Sequence, residues 1–137
     1  MTRIRIAIGA LLVALCTMGL ATDIGGASVY RLIAAATNNS ANIKAAGGTL
    51  YSIQSCGGTG TNYFVKLYDK ATSPTCGTDV PIMVMSTGNS GVCNSPNLPA
   101  DGLRFALGLG ICVVTGVADN DNTSAAANGG VITIGYK

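Results

Sequence analysis

Beyond residue 23 the hydrophobic positions come in short bursts, separated by polar stretches rich in Gly, Thr, Ser, Asn and Ala. No stretch after residue 36 repeats apolar residues at the i, i+3, i+4, i+7 spacing of a capped amphipathic helix. What recurs is a brief alternating or apolar run followed by a Gly-rich break, the pattern of strands and turns. Strands are predicted at 29–36, 42–46, 49–56, 63–69, 80–86, 103–106, 109–115 and 131–136. Alternation over 49–56 puts Leu50, Ser52, Gln54 and Cys56 on one face, with Tyr51 and Ile53 on the other. Over 63–69 it sets Phe64, Lys66 and Tyr68 against Tyr63, Val65 and Leu67. Gly47-Gly48 reads as a turn, 57–61 as a Gly-rich loop and 70–78 as turns around Pro74 and Gly77. Pro81 suits an edge strand or a first turn. A long loop at 87–101 carries Pro96 and Pro99, and 118–130 is a polar loop. The final run has only the terminal Lys137 as a charge, so it is expected inside a sheet. Eight or so short strands at this spacing predict an all-β chain, a β-sandwich or jelly roll.

The first 22 residues differ. Arg3 and Arg5 precede an uncharged run over 6–22 that ends in the small-residue stretch Gly19-Leu20-Ala21. That is the layout of a secretory signal peptide, and it is shorter than the roughly 20 apolar residues of a spanning helix. Leu15 before Cys16 is wrong for a lipoprotein site. The alternative is an uncleaved apolar helix or arm packed against a partner. The division expected is a leader at 1–22 and a single sandwich domain at 23–137.

Charge narrows the function. The chain has eight Lys or Arg and six Asp, with no Glu, His or Trp. Arg3 and Arg5 account for the whole net charge of +2, because the remaining six cations balance the six aspartates. A neutral body lacks the clustered cations that nucleic-acid binding needs. Without His or Glu there is no Ser-His-Asp triad, no His-Glu zinc site and no Glu general acid. Neither catalysis nor a cofactor is expected.

Cys56, Cys76, Cys93 and Cys112 form an even set that allows three pairings, with Cys16 left over. No C-x-x-C pair and no His favours a metal site, which leaves two disulfides or buried free thiols. The signal-like start favours disulfides, with Cys76–Cys112 and Cys56–Cys93 the preferred pairing.

Other candidates carry less. Asp119-Asn120-Asp121-Asn122 offers side-chain oxygens to a hard cation, which makes Asp119 and Asp121 the Ca²⁺ candidates. The run lacks the Gly and distant Glu of an EF-hand loop, and a polar turn needs the same residues. Gly57-Gly58-Thr59-Gly60 has no following Gly-Lys-Ser/Thr, so it is no phosphate loop, and Gly108 and Gly110 lack the third Gly of a dinucleotide fingerprint. A Ser–Lys nucleophile from Lys70 and Ser73 would need a desolvated lysine. Tyr51, Tyr63, Phe64, Tyr68 and Phe105 form either an exposed platform for sugar or protein contact or the core of a small sandwich. Asn38-Asn39-Ser40 and Asn122-Thr123-Ser124 match the glycosylation sequon.

Two blocks, YFVKLYDKATSPTCGTDVP at 63–81 and GICVVTGVADNDNT at 110–123, resemble a pattern in small proteins of tailed bacteriophages. With 45–51 before and 131–137 after, the likeness spans most of residues 40–137. It is to virion accessory proteins of the capsid-decoration or head-fibre kind. The resemblance implies a non-enzymatic structural protein on the virion, contacting the major capsid protein or another virion protein, as a homo-oligomer. It implies no nucleic acid and no small-molecule substrate. An N-terminal arm anchored to the capsid would account for the leader-like start. The competing expectation is a secreted or periplasmic bacterial module for adhesion or carbohydrate binding.

Overall fold

The computed structural model describes residues 26–58, 60 and 62–137. The expected leader at 1–22, with Cys16, lies outside the described residues. Among those described, the chain forms nine strands and no helix. They are β1 (Ser28–Ile33), β2 (Ala41–Lys44), β3 (Gly48–Gly57), β4 (Phe64–Asp69), β5 (Met83–Ser86), β6 (Cys93–Asn94), β7 (Leu103–Phe105), β8 (Leu109–Val114) and β9 (Gly130–Tyr136).

All pairings are antiparallel and make two sheets. One runs β1–β9–β3, with β6 and β7 both against the far edge of β3; the other runs β2–β8–β4–β5. The sheets form a β-sandwich, with Leu50, Ile53, Ile132 and Ile134 of the first packed against Val65, Leu67, Ile111 and Val113 of the second. As expected, β9 is internal. β5 is an edge strand that begins after Pro81, so residues 80–82 precede it.

Two features depart from simple alternation. Leu50 pairs with Tyr136 and Ser52 with Gly135, so Tyr51 is an extra residue in β3. A bulge of this kind shifts the side-chain phase by one. Leu50 and Ile53, expected on opposite faces, therefore both enter the core, and Tyr51 is turned outward at 47% exposure. The second departure is β6, which lies inside the stretch expected to be loop. Only two residues long, it exists because Ser55 pairs with Asn94 and Cys56 with Cys93.

The second sheet is covered on both sides. Every residue of β8 is buried, the signature of a strand with two packed faces and the reason its sequence is a nearly continuous apolar run. On its outer face Tyr68, Cys76, Cys112 and Val114 make a second, smaller core, with Phe64 at its border. The turns after β4 close down here: a Cβ on Gly110 would stand 2.8 Å from Pro74 Cδ, so only glycine admits the proline ring.

Candidate functional site

The far edge of β3 is only partly paired. β7 covers Gly48, Thr49 and Leu50, and β6 covers Ser55 and Cys56. Among the described residues no strand lies beside 51–54 on that side, and the segment from Asn94 to Leu103 crosses the gap as a loop. Gly102, at φ +76°, lies 2.8 Å by its N–H from the Pro99 carbonyl, a turn that returns the chain to β3. Between loop and strand lies an open cleft of about 490 Å³. Tyr51, Ser52 and Gln54 line it from β3, Ser95, Asn97 and Leu98 from the loop, and Thr133 from β9; no lining residue is charged.

The sequence singled out Tyr51 but not the rest of this cleft. Ser95, Asn97 and Leu98 sit in a stretch read only as a Pro-containing loop, and nothing local marks them as facing β3. The aromatic platform is not assembled. Tyr63, Tyr68 and Phe105 are buried and Phe64 is half-buried, so the core reading holds for these, and Tyr51 alone of the five is exposed. Strand order decides this, because Tyr51 and Phe64 belong to different sheets.

Much of the charge fastens loops. Lys66 is fully buried on the outer face of the second sheet. Its ammonium donates to the carbonyls of Ala118 at 2.5 Å, Asp121 at 2.9 Å and Asp119 at 3.4 Å. Burial pulls its pKa down, and the negative charges of Asp121 and Asp119 oppose that. The Asp121 carboxylate accepts from the N–H of Gly116 and from the N–H and hydroxyl of Thr123. Burial pushes its carboxyl up, and these bonds, Thr123 first, bring it below the ordinary value.

The Ca²⁺ candidates thus lie in a loop whose convergent carbonyls face the ammonium of Lys66, a cation supplied by the chain itself. Among the described residues no group of three or more His, Cys, Asp or Glu is placed to hold a metal.

Lys70, the candidate partner of Ser73, instead pairs with Asp79 at 2.5 Å. That bond, with the Thr75 N–H, holds the Asp79 carboxyl below its usual range. Asp69 is used in a third way. Three successive N–H groups, of Ala106, Leu107 and Gly108, converge on its carboxylate at 2.9, 2.7 and 3.2 Å and lower its pKa. This is an anion nest filled from within the chain.

The four cysteines form two disulfides, Cys56–Cys93 and Cys76–Cys112. The first joins directly paired residues of β3 and β6 at the end of the cleft, and Cys93 is exposed; the second is buried in the outer core. Bonds of this kind belong to an oxidising setting, extracellular or periplasmic, rather than to the cytoplasm. Of the sequon asparagines, Asn122 is exposed, whereas Asn38 is half-buried and its carbonyl accepts from the Val113 N–H. Comparison with protein-family models, with curated proteins and with solved structures finds no match to this chain.

Proposed function

We propose that the chain is a non-enzymatic structural protein carried on the surface of a tailed-phage particle. In this reading it decorates or stabilises the capsid as an oligomer, touching the major capsid protein or another virion protein. One observation supports it above others. The two sequence blocks that resemble phage accessory proteins, 63–81 and 110–123, fold as one unit. They share the β4–β8 ladder, the Cys76–Cys112 disulfide and the bonds from Lys66 to the 118–121 carbonyls. The likeness therefore falls on a single packed module rather than on scattered strands. Two disulfides and a neutral body suit a protein that persists outside the cell and works by contact.

The test is copy number. Intact particles from the native source, purified through a density gradient, should retain the chain at a constant ratio to the major capsid protein. Recovery of the chain only as free extracellular or periplasmic protein would overturn the proposal. That outcome supports the second reading, a secreted or periplasmic module for adhesion or carbohydrate binding. The uncharged cleft beside Tyr51 favours this alternative, and a mature N-terminus near residue 22 is its mark.

A further inference from the structure

We infer that the cleft between β6 and β7 is a binding site for a neutral saccharide of one or two rings. Four independent features point there. The bulge at Tyr51 turns an aromatic ring out of the sheet and into the cleft, half-exposed, with an apolar face available for the C–H face of a sugar ring. The polar side chains around it all both donate and accept, the amides of Gln54 and Asn97 and the hydroxyls of Ser52, Ser95 and Thr133, beside the apolar Leu98 and Pro96. Sugar hydroxyls have the same dual character. No charged side chain lines the cleft, and the cation Arg31, paired with Thr133 across the β1–β9 ladder, stands one strand outside it.

The backbone adds a fixed pair. Gly57 donates its N–H to the Val92 carbonyl at 2.8 Å and accepts from the Gly91 N–H at 3.1 Å, both on the β6 side. Main-chain groups alternate sides along a strand, so those of Ser55 and Ile53 face the same edge. Ser55 has Asn94 opposite, whereas the N–H and C=O of Ile53 face the cleft with no strand partner among the described residues.

Size and closure separate a sugar from a peptide strand. The unpaired run of residues 51–54 spans about 13 Å. It is stopped at one end by β7 and at the other by β6, where the Cys56–Cys93 disulfide pins the strand. An added strand needs a free run beyond both ends, and a compact ligand does not. The volume, about 490 Å³, lies in the range of small-ligand pockets. The inference holds whether the chain is carried on a particle or secreted.

The experiment is a titration of the ¹⁵N-labelled full chain, both disulfides formed, followed by NMR. The probes are glucose, galactose, mannose, N-acetylglucosamine, maltose and lactose. At least one should give saturable shifts at residues 51–54 and 95–98, with Kd roughly millimolar or tighter. Tyr51→Ala should raise that Kd by about tenfold with the remaining spectrum unchanged. Gln54→Ala provides a second, smaller reduction in affinity should the first variant disturb the strand. No saturable shift with any sugar, shifts confined to other surfaces, or affinity unchanged from the parent in both variants overturns the inference. So does saturation of the same residues by an extended peptide when every sugar fails. None of these outcomes bears on particle association, which copy number tests separately.

Discussion

Lys66 reaches from the middle of β4 to the main-chain oxygen of Asp121, 2.9 Å from its ammonium and 55 residues further along the chain. This contact explains why a lysine interrupts the apolar and aromatic run Phe64–Tyr68 of β4. The 118–121 turn brings three carbonyls to one point over the sheet, that of Ala118 also accepting from the Asp121 N–H. A buried ammonium without acceptors is costly, and these carbonyls serve the three N–H groups of Lys66.

Lys66→Met keeps the length and apolar stem and removes the donors. It should destabilise the domain by about 2–3 kcal/mol and speed hydrogen exchange at residues 116–123. Urea unfolding and exchange mass spectrometry measure the two effects. A loss well under 1 kcal/mol with unchanged exchange would mean that water replaces the ammonium at no cost.

Asp69→Ala empties the nest formed by the N–H groups of Ala106, Leu107 and Gly108. The expected loss is about 1–2 kcal/mol, kept modest because these bonds lie near solvent. Asp69→Asn, with a single acceptor oxygen, should fall between Ala and the parent. Equal stability of all three would show that the turn stands without its carboxylate.

Mild reductant should open Cys56–Cys93 before Cys76–Cys112, because Cys93 is exposed and the second bond is buried. Stepwise reduction, alkylation and peptide mapping give the order. The bonds close loops of 37 and 36 residues, so the loss of either should cost roughly 3–4 kcal/mol by chain entropy. Reversed order would count against the surface placement of β6.

Stability should be flat between about pH 5 and 9, since the chain has neither His nor Glu. The acid limb comes from Asp69, Asp79 and Asp121. Their folded pKa values lie below the ordinary 3.8, so their contribution is present above that value and lost as pH falls through the folded ones. The alkaline limb includes Tyr68. Burial, with the charges of Asp79 and Asp119, pushes its hydroxyl up to about 12. Its contribution is full below pH 10 and declines between 10 and about 12. The relief of the Lys66 burial penalty at high pH runs the other way, so the two groups must be separated. Tyr68→Phe does this. It removes a buried hydroxyl that has no hydrogen-bond partner among the described residues, so it should be neutral or stabilising by up to about 1 kcal/mol at pH 7. It should also flatten the alkaline decline, as thermal melts across pH would show.

Most of the sandwich is legible in the residues themselves. The Leu109–Val114 run, with apolar residues on both parities, announces a strand covered on both faces, and the outer core of Tyr68 and Cys112 confirms why. The set Phe64, Lys66, Tyr68 against Val65, Leu67 is also correct, because β4 has no bulge to disturb its phase. β3 is different. Leu50 and Ile53 are apolar at an odd spacing, which alternation resolves by placing them on opposite faces. The structure resolves it by inserting Tyr51. The candidate cleft was hidden for the same reason, since Tyr51 looks like one aromatic among five until the bulge and the strand order isolate it.

The sequence by itself determined the all-β class, most of the strands, a neutral body and an even set of cysteines in it. These follow from local sterics, hydrophobic period and composition, which act within a few residues. Only the tertiary structure decided that β6 exists, that Lys66 serves a distant loop and that residues 51–54 are left open between two short partners. Each of those depends on which segments lie side by side, and contacts such as Cys56 with Cys93 or Lys66 with Asp121, 37 and 55 residues apart, leave little trace in either local stretch.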